Sequence, residues 1–140
     1  MNILQSAHLA TTSIMKTPLA LSLLSAGAPA EVSDDYELLD INQIITGGRE
    51  GIIAYRVSGD SMREEIRPGD YVFVDPQCEP KNGDTVVCRI NNQNVIKIFQ
   101  NGSAGLFLVP RNPEFVPLRP TPQDDVQILG VVLWHLGRDK

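Results

Sequence analysis

The chain has 140 residues, a formal net charge of −5 and an aromatic content of 6%. This length suits one domain whose core is large enough to need no disulfide or metal for stability. The acidic balance disfavours a general nucleic-acid-binding protein, because phosphate contacts need a clustered basic surface. The 11 Gly and 10 Pro favour a mostly β fold of short strands and turns over a helical bundle.

Cysteine and histidine give no sign of a metal or redox centre. Cys78 and Cys88 do not form a C-x-x-C pair, and His8 and His135 are isolated in the sequence. We therefore expect no cofactor and no metal. Cys78 is most simply a turn residue and Cys88 a small strand hydrophobe.

Residues 1–26 form a separate compositional unit, since they contain no Asp or Glu and one charged residue, Lys16. We predict that this segment is a flexible N-terminal arm. Its apolar run Leu19–Ala26, followed by Gly27–Ala30, could instead be the core of a secretory signal. That alternative is disfavoured because the segment before the run is long and carries only Lys16, and because Pro18 interrupts the start of the run. The run is also too short to span a bilayer.

Residues 27–50 are predicted to be a linker that carries one short helix. The segment from Glu31 to Tyr36 is acidic and polar. Asp40 can then cap a helix with apolar positions at helical spacing, which Gly47-Gly48 ends.

Residues 51–140 alternate short β-type runs with turn signals, which predicts a multi-stranded domain. Asn91–Asn94 indicates a hairpin, and Gly130 indicates a bulge or a close approach of another backbone. The predicted strands are Gly51–Val57, Tyr71–Val74, Asp84–Ile90, Val95–Phe99, Leu106–Val109 and Val126–Trp134.

Ser61 lies in the turn-forming stretch Ser58-Gly59-Asp60-Ser61-Met62. It could be a nucleophile, with the Met62 backbone N–H stabilising a developing oxyanion. It could equally be a capping residue of a short helical stretch, Met62–Ile66.

Lys97 lies within a β-type run in which Val95 and Phe99 share its face. A lysine can serve as the base for a serine only when it is neutral, which requires burial in an apolar site. The alternative is a lysine on an edge strand whose amine reaches solvent.

Four motifs occur together in one order: Ser58-Gly59-Asp60-Ser61-Met62, Pro68-Gly69-Asp70, Asn82-Gly83-Asp84-Thr85-Val86-Val87 and Val95-Ile96-Lys97. This set, with 36 positions between Ser61 and Lys97, resembles the self-cleaving Ser-Lys peptidases of the LexA/UmuD family. The resemblance implies a compact, multi-stranded catalytic and dimerisation domain with one or two short helices. It also implies Ser61 as nucleophile, Lys97 as general base and cleavage between Ala26 and Gly27.

The stretch Leu38–Ile45 resembles a leucine-rich stretch of UmuD that contains Asn and Gln, more than any stretch of LexA. This similarity implies a cytoplasmic homodimer of the SOS response, cleaved when it meets a RecA filament on single-stranded DNA. The trimmed dimer would then serve a UmuC-like translesion polymerase, with no sequence-specific DNA binding and no membrane association. The alternatives are a repressor-type peptidase domain acting on another target, and a binding module without catalysis.

Overall fold

The computed structural model describes residues 16–22, 24–29 and 31–139. The chain divides into two compact units, the first ending at Gly48 and the second beginning at Arg49. In the described residues we find eight strands and one short helix, which confirms the mostly β fold. No helix in these residues is long and apolar enough to cross a bilayer.

The first unit contains a strand pair that the sequence analysis missed. Strand β1 (Thr17–Ala20) pairs antiparallel with β2 (Tyr36–Leu39). A hydrogen bond from Leu21 N–H to Asp35 O, 3.0 Å long, extends the pairing into the connecting loop. The strands were missed because an arm and a linker do not show from composition alone that they pair with each other. The predicted flexibility of residues 1–26 stays a prediction, since residues 1–15 and 23 lie outside the described residues.

The predicted helix is confirmed as α1 (Ile41–Thr46). Asp40 caps it, because its Oδ1 accepts from the N–H groups of Asn42 and Gln43 at 3.0 and 3.3 Å. Gly47 ends the helix in the left-handed region, with φ of 60°.

The second unit is one antiparallel six-stranded sheet with the order β3-β4-β8-β5-β6-β7. All the predicted strands of this unit are present, with ends that differ by a few residues. Their bounds are β3 (Ile53–Arg56), β4 (Tyr71–Asp75), β5 (Thr85–Ile90), β6 (Gln93–Gly102), β7 (Gly105–Val109) and β8 (Val126–Leu136).

A two-residue turn joins β5 to β6 and sets their register. Asn91 and Asn92 both have positive φ, 48° and 67°, as a type I′ hairpin turn requires. The resulting pairs include Val86 opposite Lys97. The predicted hairpin is therefore confirmed, with a tighter turn than the four residues expected.

Gly130 of β8 lies against the backbone of its neighbouring strand β4. A Cβ at this position would stand 2.6 Å from both Asp75 O and Val74 Cγ1. The register of β5 against β8 also shifts between Val87 and Cys88, opposite this glycine. The predicted close approach of another backbone is confirmed.

Buried side chains form two core clusters in the second unit. The loop between β3 and β4 carries the candidate nucleophile Ser61 and is called the nucleophile loop below. The cluster that anchors it consists of Val57, Met62, Ile66, Val72, Val74 and Val87. The other consists of Val86, Cys88, Leu108 and Val131, with Val95 and Phe99 packed against it.

The predicted helical stretch Met62–Ile66 is wrong: these residues form successive turns. Glu64 adopts a left-handed conformation with φ of 86°, which a right-handed helix cannot contain. Met62 and Ile66 are nevertheless joined by a hydrogen bond from Ile66 N–H to Met62 O at 2.9 Å. The segment is therefore held compactly without being a helix.

Candidate active site

Ser61 and Lys97 meet in the second unit, although 36 positions separate them in the sequence. Lys97 Nζ lies 2.6 Å from Ser61 Oγ, within hydrogen-bonding distance. When the lysine is charged its ammonium group donates to the hydroxyl oxygen, and when it is neutral the hydroxyl donates to the amine. The second arrangement is the one in which a serine proton can be transferred.

The loop that carries Ser61 connects β3 to β4 and is closed at its base. Val57 N–H donates to Asp70 O, and Gly69 N–H donates to Val57 O, both at 2.8 Å. From inside the loop, the side chains of Met62 and Ile66 insert into the core with 1% and 2% exposure. Burial of two such side chains contributes about 4 kcal/mol and holds the serine against the sheet.

The strand that carries Lys97 belongs to the interior of the sheet, between β5 and β7. Lys97 pairs with Val86 of β5, so the two side chains leave the same face. Only 8% of Lys97 is exposed. The alternative of a lysine on an edge strand reaching into solvent is therefore wrong.

Burial of Lys97 favours the neutral amine. Desolvation holds the pKa of Lys97 below its ordinary value of 10.5. Among the described residues no carboxylate lies within 4.0 Å of its Nζ to offset that loss of hydration. The site thus supplies the electrostatic condition that a lysine base needs.

Within the described residues, Cys88 is the one titratable neighbour that shifts the pKa of Lys97. It is fully buried, and burial raises the pKa of its thiol from 9.0 to about 11, against the smaller lowering effect of Lys97. The thiol therefore stays neutral at neutral pH. A thiolate here would raise the pKa of Lys97 and favour the charged ammonium.

Asn112, which the sequence analysis did not single out, reaches the nucleophile loop from the segment after β7. Its backbone N–H donates to Ser61 O and its side-chain Nδ2 donates to Asp60 O, both at 2.9 Å. The residue is 7% exposed, which is unusual for an asparagine. Its only sequence signal was the Asn-Pro pair within a Pro-rich segment, which indicates a turn and nothing more.

The Met62 backbone N–H, predicted as an oxyanion donor, donates no hydrogen bond to another described residue. Ser61 N–H likewise donates none within that part of the chain. The role of Met62 as a donor to substrate stays a prediction.

The Ser-Lys pair lines a cavity of about 170 Å³. Most of the lining comes from residues 55–58, at and after the end of β3, and from residues 94–97 of β6. Besides the pair, the lining residues are Tyr55, Arg56, Val57, Ser58, Val72, Val87, Asn94, Val95 and Ile96. Away from the pair the lining is mixed, with aliphatic side chains beside Arg56, Ser58 and Asn94. Such a lining can contact both the apolar side chains and the polar backbone of a peptide segment.

Comparison with known proteins identifies the family. A family model described as Peptidase S24-like matches residues 18–133, which is most of the chain. The chain belongs to the S24 peptidase family. This confirms the LexA/UmuD family membership that the four motifs indicated.

Similar proteins include three repressors. A LexA repressor of Desulfatibacillum aliphaticivorans is 36% identical over 121 residues, which cover 84% of this chain and 59% of the relative. One of Syntrophotalea carbinolica is 34% identical over 120 residues, covering 85% and 58%. LexA repressor 2 of Xanthomonas axonopodis pv. citri is 31% identical over 129 residues, covering 89% and 59%. The chain thus spans less than two thirds of the length of these curated relatives.

The predicted cleavage site of this S24 chain lies in the loop between β1 and β2. Ala26 and Gly27 are both exposed, and Gly27 N–H donates to Ser25 Oγ at 3.1 Å. The loop is closed by Ser22 and Ser33, where Ser22 Oγ donates to Ser33 O at 2.6 Å and accepts from Ser33 N–H. Cleavage between Ala26 and Gly27 stays a prediction.

No group of three or more His, Cys, Asp or Glu in residues 16–22, 24–29 and 31–139 could hold a metal ion. Cys78 is partly buried in the turn after β4, and His135 is exposed near the end of β8. His8 lies outside the described residues.

Proposed function

We propose that this S24-family chain is a self-cleaving serine peptidase that cuts its own Ala26–Gly27 bond. Ser61 is the nucleophile, Lys97 the general base and the Met62 backbone N–H an oxyanion donor. The observation that carries the proposal is the 2.6 Å approach of Lys97 Nζ to Ser61 Oγ in a site where burial lowers the pKa of the lysine.

The reaction proceeds in two halves. Ser61 Oγ attacks the carbonyl carbon of Ala26 while Lys97 Nζ accepts the hydroxyl proton. The tetrahedral intermediate collapses with rupture of the C–N bond, and Lys97 returns the proton to the departing amine of Gly27. Water, deprotonated by Lys97, then hydrolyses the ester between Ala26 and Ser61, so one fragment ends at Ala26 and the other begins at Gly27.

Two features support the chain's own loop as substrate. Ala26 and Gly27 are small, so an extended backbone can approach a serine closely, and they are exposed in the loop between β1 and β2. Attachment in the same chain gives this loop a high effective concentration at the serine of its own chain or of a dimer partner.

In the cell, we propose a cytoplasmic homodimer of the SOS response, whose cleavage is triggered by a RecA filament on single-stranded DNA. The UmuD-like stretch Leu38–Ile45 supports a trimmed form that serves as accessory subunit of a UmuC-like translesion polymerase. Residues 1–26 would be the removed arm and residues 51–140 the peptidase and dimerisation domain, with 27–50 as linker.

A second candidate function is a LexA-type repressor peptidase acting on a different target. The observation that favours it is that relatives 31 to 36% identical are named LexA repressors. Cleavage of an added protein by the trimmed chain, with its own Ala26–Gly27 bond left intact in the full chain, would support this candidate over self-cleavage.

The test is incubation of the purified chain near pH 10, about the ordinary pKa of lysine, followed by mass spectrometry. Two fragments are expected, one that ends at Ala26 and one that begins at Gly27. Ser61→Ala and Lys97→Ala should stay whole, whereas Ser103→Ala and Lys81→Ala, which alter exposed residues of the same types, should be cut.

A wild-type chain that stays whole, both at that pH and with a RecA filament on single-stranded DNA, would contradict self-cleavage and favour a binding module without catalysis. For the polymerase proposal, the trimmed chain should co-purify with the UmuC-like polymerase. Failure to do so would leave self-cleavage standing and remove only the polymerase role.

A further inference from the structure

Asn112 has no place in the mechanism above, yet it holds the two peptide groups that flank the nucleophile. The segment that carries it leaves the sheet after β7 and is closed by reciprocal hydrogen bonds between Leu108 and Leu118, each 2.9 Å long. Residues 113–118 of this segment are exposed, and Asn112 is buried against the nucleophile loop.

Every polar group of Asn112 has a partner in the protein. Its two donors, the backbone N–H and Nδ2, go to Ser61 O and Asp60 O at 2.9 Å each. Its Oδ1 accepts from Glu114 N–H at 3.0 Å, and its carbonyl oxygen accepts from Phe115 N–H at 3.1 Å. The bonds from Glu114 and Phe115 hold Asn112 in its own turn. The bonds to Ser61 and Asp60 connect that turn to the nucleophile loop.

The two bonds that Asn112 donates also orient the N–H groups of the peptides that they hold. In a planar trans peptide the C=O and N–H bonds point in opposite directions. Asp60 O belongs to the same peptide as Ser61 N–H, and Ser61 O to the same peptide as Met62 N–H. A residue that binds both carbonyl oxygens on one side therefore directs both N–H groups to the other side.

These N–H groups have no other partner in the part of the chain that the structure describes. They are the donors that could bind the negatively charged oxygen of a tetrahedral intermediate formed on Ser61. We infer that Asn112 is a positioning residue that aims the Ser61 and Met62 N–H groups at the substrate carbonyl by holding the carbonyl ends of the same two peptides. This inference rests on the proposed self-cleavage.

Asparagine suits this position because it offers a donor and an acceptor on one short side chain. Aspartate keeps the acceptor for Glu114 N–H but places a carboxylate oxygen against Asp60 O, where two acceptors repel. Alanine removes both side-chain bonds and keeps only the two backbone bonds, the one to Ser61 O and the one from Phe115 N–H.

The test measures self-cleavage against pH for wild type, Asn112→Ala and Asn112→Asp, with folding of each checked by thermal unfolding. Asn82→Ala is the matched control, because it also removes two side-chain bonds to backbone, those with Asn101 N and O. We expect both Asn112 variants to lose about 10- to 100-fold in the maximum rate, and the control to stay within about 2-fold of wild type.

The midpoint of the pH profile separates positioning from general loosening of the site. Lys97 keeps its burial if Asn112 acts only on the two peptides, so the midpoint should not move. A folded Asn112 variant that cleaves at the wild-type rate, or whose loss is only an upward shift of the midpoint, would overturn the inference while leaving self-cleavage intact. A wild-type chain that does not cleave would instead overturn the proposed function.

A measurement on the wild type removes dependence on the folding of the variants. A peptide boronic acid ending in the boron analogue of alanine forms a tetrahedral adduct with a reactive serine and places an oxygen anion where the oxyanion develops. The amide protons of Ser61 and Met62 should shift downfield in this adduct, as for amides that donate to an anion. If the adduct forms and neither amide resonance shifts, the inference that these two N–H groups point at the oxyanion is wrong.

Discussion

Val86 and Lys97 face each other across the β5–β6 hairpin, and this pairing sets the direction of the amine that lies 2.6 Å from Ser61 Oγ. The turn of Asn91 and Asn92 is only two residues long, so it fixes the register of β5 against β6. A slip of one residue would move Lys97 to the opposite face of the sheet. The candidate active site therefore depends on a local turn as well as on long-range packing.

Replacement of Lys97 by Arg should abolish self-cleavage, with a rate at least about 100-fold lower at every pH tested. Guanidinium cannot lose its proton in this range, so a positive charge is kept but no base is available. The wild-type rate should rise with pH, and the midpoint of this rise should lie below pH 10.5 because burial lowers the pKa of Lys97. Both are measured by densitometry of the fragments over a pH series.

Lys97→Met is the companion variant, since it keeps an unbranched side chain and removes the amine. It should be equally inactive but more stable than wild type at neutral pH, because a desolvated ammonium no longer opposes folding. A Lys97→Arg chain that cuts itself with the wild-type pH profile would show that Lys97 is not the base.

Cys88 should make the chain less stable in alkaline solution. Its pKa is 9.0 when unfolded and about 11 when folded, so between these values the unfolded thiol has lost its proton and the folded one retains it. The folded state then binds more protons, and the free energy of unfolding falls as pH rises, by about 3 kcal/mol in all. Lys97 acts with the opposite sign, since its lowered pKa makes stability rise with pH up to 10.5.

Cys88→Ala removes the thiol contribution. Urea unfolding of wild type and variant at a series of pH values gives two stability curves, and their difference contains the thiol contribution together with its smaller coupling to Lys97. The stability advantage of wild type should shrink steadily from pH 9.0 to about 11. A difference that is constant across this range would mean that the thiol ionises equally in the folded and unfolded chains.

Gly130→Ala should destabilise the second unit by about 3 kcal/mol, as overpacking against backbone does. The added Cβ would stand 2.6 Å from Asp75 O, and a backbone oxygen in a paired strand cannot move aside cheaply. Gly102→Ala is the control, because nothing lies within 4 Å of a Cβ there. Equal urea midpoints for the two variants would contradict the close contact between β8 and β4.

Much of the fold could be predicted because its signals are local. Asp40 and Gly47 mark both ends of α1, and a paired Asn turn marks the β5–β6 hairpin. The serine and lysine could be named because a linked set of motifs specifies them together. In each case the evidence lies within a few neighbouring residues or in a known combination of them.

The misses share a different cause, since they depend on partners distant in sequence. The β1–β2 pair joins an arm to a linker, and neither strand has a periodicity that reveals the other. Asn112 lies 51 positions after Ser61, and only the fold shows that its amide faces the nucleophile loop. The burial that lowers the pKa of Lys97 could be stated as a requirement from sequence, but only the packing of the sheet supplies it.

The wrong helix at Met62–Ile66 leads to a last prediction, at Glu64. Glu64 has φ of 86°, a left-handed conformation that costs a residue with a Cβ about 1–2 kcal/mol. Glu64→Gly removes this strain but adds freedom to the unfolded chain, worth about 0.5–1 kcal/mol in the other direction. The variant should therefore be more stable than wild type by up to about 1 kcal/mol.

Glu65→Gly is the matched control, because it removes the same charge one residue later, where φ is not positive. It should be less stable than wild type by about 1 kcal/mol, through the cost of glycine and the loss of the ion pair with Arg111. Urea unfolding of the two variants should thus give shifts of opposite sign. Shifts of the same sign would mean that residue 64 is unstrained and that the turn before Pro68 has a different backbone conformation.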